Sequence, residues 1–371
     1  MSAPSAKGST RLLAVDGSAL RRQTWAAIAA DVPGLELAGA AVSVEEAWQL
    51  VEQTSPDVIL LDLELGGTDA FVFLGRIMAE RPLPVLVLVG KSPVSRDRAV
   101  RALEHGAADL LTAPIGGRGV EPRVRDELVG KLVQVNRLRI ARLAERAERA
   151  RLRGTAISQP IPIISADPAD RDRERGLPPR RVLAIGASTG GPAAVTQLLS
   201  GLDSQSGYGV LLTQHMPPRF TRSFAERLDR ATSWTVREAE GGDALFAGHV
   251  LVAPGGGSLR LRRAGAQWKV DVEVPSGEER FVPSIDRMFE TAAEAAGRDL
   301  VAVILTGMAG DGSLGLAVVR ERGGLVVVES PASAALSGMP EEAIESGPVD
   351  HIGTVVNLVD YLQKLAKRPT T

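Results

Sequence analysis

The alternation of apolar and polar positions divides the chain into short buried-strand runs and longer amphipathic stretches. RLLAV (residues 11–15) is an apolar run that stops at Asp16. A helical stretch from Ser18 to Ala30 and a strand at Leu35–Ala41 follow it. Ser43, with Glu46 three residues on, predicts a capping box and a further helix. DVILL (residues 57–61) reads as a strand buried on both faces that ends at Asp62. A helix over Ala70–Glu80, a strand at Val85–Val89, a helix over Ser95–His105 and a strand at Asp109–Leu111 running to Ala113-Pro114 complete the set. Five strands alternating with helices predict a doubly wound parallel sheet. Ligands of such sheets bind beyond the carboxyl ends of the strands, where both Asp16 and Asp62 fall.

The pattern then changes. Glu127–Arg153 is helical in period and strongly charged, without an aromatic residue, and residues 154–181 are rich in Pro, Asp, Arg and Ser. This predicts a charged helix followed by a flexible linker. Acids interleave with the bases along it, so the run reads as a solvated face and not as a nucleic-acid site. The expected boundaries are 1–117 for the first domain, 118–179 for the helix and linker, and 180–371 for a second domain.

Apolar alternation resumes at Val182. Val182–Ile185 run into a Gly-rich turn, and a helix starts near Pro192, where a missing N–H costs nothing. Val210–Thr213 is a strand leading to Gln214-His215-Met216, and a helix covers Arg219–Arg230. The shorter pieces Trp234–Glu238, His249–Ala253, Ser258–Arg262 and Trp268–Val274 read as hairpins between glycine turns. Ser284 caps a helix through Ala296. Leu300–Leu305 is a buried strand entering the loop Thr306–Gly312, and a helix to Arg322 precedes the strand Leu325–Val328. The expectation is a second α/β domain with a Rossmann-like parallel sheet and a β-hairpin region.

Composition narrows the function classes. The 371 residues have room for two or three domains, and a formal net charge of −2 gives no global field for nucleic acid or membrane. Cysteine is absent, which excludes disulfides, thiolate metal sites and a cysteine nucleophile. The first ten residues lack the apolar core of a signal peptide, and no apolar run reaches the length of a membrane span. A cytoplasmic protein without membrane insertion is expected.

The chemistry centres on the turn after Val182–Ile185. Gly186-x-Ser188-x-Gly190 fits the pattern in which a strand-to-helix turn lifts a serine hydroxyl to the sheet edge. Such a turn also cradles dinucleotide phosphates, and GAS followed by glycines is similar to short-chain dehydrogenases. Those enzymes need Tyr-x-x-x-Lys, whereas neither Tyr208 nor Tyr361 has a lysine four residues on. A plain loop serine is the third reading. Three apolar strands of this domain end in Ser188, His215 and Asp311, and in a parallel sheet those ends lie on one edge. A nucleophilic serine needs a base and an orienting carboxylate, in any chain order. His249 follows a glycine ahead of a strand and reads as structural, while His105 and His351 flank helix or strand ends and read as surface residues.

GASTGGP, TQHMPPRFTRSFAERLD, GHVLVAPGG, PSIDRMFE, AVILTGMAGDGSLGL and SGMPEEAI together closely resemble the chemotaxis protein-glutamate methylesterases, the CheB family. The resemblance implies Ser188 as nucleophile, His215 as base and Asp311 as orienting carboxylate. It also implies Thr189 and the Met308 N–H as substrate-positioning and oxyanion-hole groups. The implied reaction is acyl transfer on a γ-glutamyl methyl ester of a methyl-accepting chemotaxis receptor, with deamidation of receptor glutamines by the same chemistry and without a cofactor or metal. One departure stands out. Members usually read HRPSVD where this chain has Phe281-Val282-Pro283-Ser284-Ile285-Asp286, which changes substrate contacts and is expected to leave the triad untouched. An esterase acting on a non-chemotaxis protein, or a signalling scaffold without catalysis, are the alternatives.

The N-terminal domain resembles a receiver, with a CheY-like (flavodoxin-like) fold, but its phosphorylation site is eroded. Receivers carry two adjacent acids after the first strand, whereas Asp16 is followed by Gly17. Asp62 stands at the acceptor position. The hydroxyl position falls at Val89 or Gly90, with Ser92 a little late, and the lysine position holds Ala113. Loss of the second acid weakens Mg²⁺ binding. The expectation is a pseudo-receiver that docks a histidine kinase or other signalling protein, the competing reading being atypical phosphorylation at Asp62.

Overall fold

In the computed structural model the described residues are 9–65, 70–90, 93–112, 122–135, 176–277, 279–308 and 310–368. The chain forms two compact units, Met1–Ala150 and Arg151–Thr371. Most of the linker, part of the charged helix, and the positions Ser92 and Ala113 lie outside the described residues.

The first unit runs β1 (Thr10–Val15), α1 (Ala19–Asp31), β2 (Leu35–Ala41), α2 (Val44–Thr54), β3 (Val58–Asp62), α3 (Ala70–Glu80), β4 (Val85–Val89), α4 (Pro93–Glu104), β5 (Asp109–Thr112) and α5 (Pro122–Val135). Its five strands are parallel in the order β2-β1-β3-β4-β5. β3 and β4 are buried along their whole length, as strands covered by helices on both faces must be. This order reverses direction between β1 and β3, so Asp16 and the end of β3 flank the crevice where such sheets place ligands. The Ser43 cap forms as expected, with Oγ accepting from the Glu46 N–H at 3.3 Å. The return bond is shifted by one residue: the Glu46 carboxylate accepts from the Val42 N–H at 2.8 Å.

The second unit contains β6 (Arg181–Ala187), α6 (Gly191–Gly201), β7 (Tyr208–Gln214), α7 (Phe220–Ala231), β8 (Thr235–Glu238), β9 (His249–Val252), β10 (Ser258–Ala264), β11 (Gln267–Glu273), α8 (Ile285–Ala296), β12 (Leu300–Ile304), α9 (Ser313–Glu321), β13 (Leu325–Glu329), α10 (Gly338–Glu345), β14 (His351–Gly353) and α11 (Val355–Ala366). Seven strands form one sheet in the order β14-β13-β12-β6-β7-β9-β8, all neighbours parallel.

The hairpin reading of residues 234–274 holds only for β10 and β11, which pair antiparallel. β8 and β9 instead pair parallel and extend the main sheet. Residues 239–248 carry the chain back across the sheet edge, a return that strand periodicity does not encode. β14, which was not expected, adds the opposite edge, and there His351 is half-buried, with its ring stacked 4.4 Å from that of Tyr361. It is not the surface residue its position suggested.

Candidate active site

The register of three neighbouring strands brings the polar strand ends together. β6 and β7 pair through Ala187 and Gln214, so Ser188 and His215 follow as neighbours across the ladder. Two further backbone bonds carry the ladder past the strand ends. The His215 N–H donates to Ala187 at 3.0 Å, and the Ser188 N–H donates to the Thr306 carbonyl beyond β12 at 3.0 Å. Gly190 then turns the chain into α6 with φ +76°, a conformation a side chain resists.

Ser188 Oγ lies 3.2 Å from His215 Nδ1, and His215 Nε2 lies 2.8 Å from Asp311 Oδ2. The ring nitrogens are used in the opposite sense to the familiar serine-protease triad, where Nε2 faces the serine. Strand spacing explains this. Ser188 follows the adjacent strand, within reach of the nitrogen nearer the backbone, while Asp311 comes from the far side of β6 and meets the distal nitrogen.

Asp311 is seated on the start of α8. Its carboxylate accepts from the Ile285 N–H at 2.7 Å, the Asp286 N–H at 2.9 Å and the Ser284 hydroxyl at 3.2 Å. Burial pushes this carboxyl upward, but the hydrogen bond and charge of His215, with the two amides, outweigh it and hold it below the ordinary carboxylate range. The side chain is only 2 % exposed, so the negative charge is both desolvated and fully bonded. Gly186 makes the approach of α8 possible, since a Cβ there would lie 2.5 Å from Ile285 Cγ2.

The adjacent Asp286 behaves in the opposite way. Burial pushes its carboxyl up to about 6, and the Asp311 charge adds to this against the opposing Gly315 N–H. A raised carboxyl binds its proton more tightly in the folded than in the unfolded chain. Its contribution to stability is therefore full below the unfolded value near 4 and is lost as pH rises through about 6. Asp286→Asn is expected to raise the thermal midpoint at about pH 7.5 and to leave it unchanged at about pH 4. An equal gain at both pH values would show that charge is not the cause.

The loop after β12 is clamped from beneath. The Thr306 N–H donates to the buried Glu329 carboxylate at 2.9 Å, Gly307 N–H to Leu336 at 3.1 Å, and Gly310 N–H to Glu342 at 2.6 Å. The Met308 N–H has no protein acceptor among the described residues. Thr189 is buried behind the serine, and its carbonyl accepts from Thr306 Oγ1 at 3.0 Å.

Phe281 corrects the expectation that the altered sequence before α8 leaves the triad untouched. Its ring stacks on the His215 imidazole, with centroids 5.2 Å apart and planes within 2°. Arg280 lies over the Phe281 ring, 5.1 Å from its centroid. The sequence marks Ser284 as a helix cap but gives no sign that the same helix start cradles Asp311. The roles of Glu329, Glu342 and Phe281 had no sequence signal of their own, since each contact joins residues far apart in the chain.

Asp16 and Asp62 also converge, in the first unit, where Arg21 bonds to both. Among the described residues no group of three or more His, Asp or Glu side chains is arranged to hold a metal ion. No described helix is long and apolar enough to cross a membrane.

Residues 183–362 match the CheB methylesterase family, and residues 12–124 match the response regulator receiver domain family. A protein-glutamate methylesterase/protein-glutamine glutaminase 2 of Pseudomonas aeruginosa is 39 % identical over 359 residues, covering 96 % of this chain and 97 % of the relative. A protein of the same description, numbered 6, from Anaeromyxobacter dehalogenans is 40 % identical over 355 residues, covering 94 % of each chain. Among solved structures, the Thermotoga maritima CheB methylesterase catalytic domain is 34 % identical, with a TM-score of 0.48, and covers 50 % of this chain and 98 % of that one. With similarity running through both units and nearly the whole length, the chain belongs to the protein-glutamate methylesterase/protein-glutamine glutaminase family.

Proposed function

We propose that the chain hydrolyses γ-glutamyl methyl esters, and deamidates glutamines, on methyl-accepting chemotaxis receptors by a Ser188–His215–Asp311 acyl-enzyme mechanism. The observation that carries this is the continuous hydrogen-bonded line from Ser188 Oγ through His215 to a buried, ionised Asp311. Asp311 accepts from Nε2–H, which fixes the tautomer and leaves Nδ1 bare toward the serine. Ser188 Oγ attacks the ester carbonyl while Nδ1 takes its proton, and Nδ1 then protonates the departing methoxide. Water repeats the sequence on the glutamyl ester, freeing the receptor carboxylate and Ser188. The Ser188 N–H is committed to Thr306, so the oxyanion donor is the Met308 N–H, with Thr189 positioning the acyl group. One such donor contributes about 2.7–4 kcal/mol to the transition state.

The aromatic face of Phe281 fixes the imidazole plane. Phe281→Ala is expected to lower kcat roughly tenfold with little change in KM, and Phe281→His to retain most of kcat. A change confined to KM would make Phe281 a substrate contact only.

In the first unit, Gly17 in place of the second acid supports a lost phosphorylation switch, so the enzyme works without a phosphodonor. The whole reading is tested by methanol release from a glutamate-methylated chemoreceptor incubated with the full chain alone. A folded chain that releases none favours the scaffold or a different ester.

A further inference from the structure

A receiver uses its acids to hold Mg²⁺, and the residues here do not fit that ion. Mg²⁺ takes near-octahedral oxygen ligands, with one or two carboxylates supplying the protein's share. Gly17 supplies none. Every carboxylate oxygen of the two remaining acids already accepts from a nitrogen. Asp16 Oδ1 accepts from the Ser18 N–H at 2.8 Å and from Arg21 Nε at 3.0 Å. Asp16 Oδ2 accepts from Arg21 Nε at 2.8 Å and from Trp25 Nε1 at 3.2 Å. Asp62 Oδ1 accepts from the Glu64 N–H at 2.8 Å, and Asp62 Oδ2 from Arg21 Nη2.

We propose that Arg21 is a built-in counter-ion that occupies the acidic crevice in place of a divalent metal and closes Asp62 to phosphoryl transfer. The proposal rests on the lost-switch reading and supplies its physical cause. Asp16 is fully buried and Asp62 is 5 % exposed, so two carboxylates at this switch point need a cation if both are to stay charged. A guanidinium meets that need permanently. It never loses its proton, its fork spans two carboxylates, and α1 delivers it one turn after the Ser18 cap. Arg22 braces the same turn, its Nη1 donating to the Asp16 carbonyl at 2.7 Å. At the end of β4, Ser95 Oγ accepts from the Gly90 N–H at 2.8 Å. Burial still pushes the Asp62 carboxyl up, and the Glu64 N–H and the Arg21 charge pull it back.

Trp25 touches Asp16 and reports on the crevice by its fluorescence. The full chain is titrated with Mg²⁺ alone, as wild type, Arg21→Ala and Arg21→Gln, with Trp25→Phe identifying the signal. Wild type is expected to show no saturable change. The variants are expected to gain one, together with a Mg²⁺-dependent rise in thermal midpoint of roughly 3–6 °C. Arg21→Gln keeps a polar, helix-favouring side chain without the charge and answers the question if Arg21→Ala does not fold. Folded variants as blind to Mg²⁺ as wild type would overturn the role of Arg21 while leaving the lost-switch reading intact. A separate arm exposes wild type to Mg²⁺ and acetyl phosphate. A stable adduct that disappears in Asp62→Asn would overturn both.

Discussion

Ser188→Ala is expected to remove at least about 10⁴ of the rate of methanol release while leaving the fold unchanged. The side chain carries one hydrogen bond, to His215 Nδ1, and the backbone bonds at this position survive the change. The Ser188 N–H still donates to Thr306, and the Ser188 carbonyl still accepts from Gly191 at 2.7 Å. Only the hydroxyl is lost. Methanol release and thermal midpoint measured on one preparation separate the outcomes. An unchanged midpoint with a rate within tenfold of wild type would mean that another group attacks the ester.

Asp311→Asn is expected to cut kcat by about 10⁴ and, unlike the serine change, to cost stability as well. An asparagine offers one oxygen and one NH₂ where the carboxylate offered two acceptors. If the NH₂ faces His215, it donates to Nε2 and moves the ring proton to Nδ1, where it blocks the serine. If the oxygen faces His215, the NH₂ is turned on the amide of Asp286 and the hydroxyl of Ser284, and the start of α8 loses its acceptor. Either arrangement leaves a buried donor without a partner, worth about 1–3 kcal/mol. Kinetics with a denaturation curve at about pH 7 checks both effects. A kcat loss without any shift in stability would show that Asp311 serves only the imidazole.

Much of this was legible in the chain. Uninterrupted apolar runs such as Val182–Ile185 and Leu300–Leu305 announce strands buried on both faces, and the polar residues that end them mark the functional edge. The convergence of Ser188, His215 and Asp311 followed from that edge together with motif resemblance. Register did not follow. Nothing in the spacing tells which imidazole nitrogen faces Ser188, because that depends on Ala187 pairing with Gln214 in space. Trp234–Glu238 and His249–Ala253 looked like a hairpin because strand periodicity is blind to direction. Phe281 read as a substrate contact because its neighbour in space, His215, is 66 positions away in the chain. Arg21 was one polar position among several in a helix, and only its height above Asp16 gives it a role.

Ser188 and His215 are rungs of the sheet, since their own amides continue the ladders of β6, β7 and β12. Separating the backbones of Ser188 and His215 means unzipping the centre of a seven-stranded sheet, an event on the scale of global unfolding. Their amides should therefore exchange hydrogen with solvent as slowly as the deepest core. With their backbone so rigidly held, Ser188 and His215 change their relation only through their side chains, so control has to act on the imidazole plane or on access to the serine.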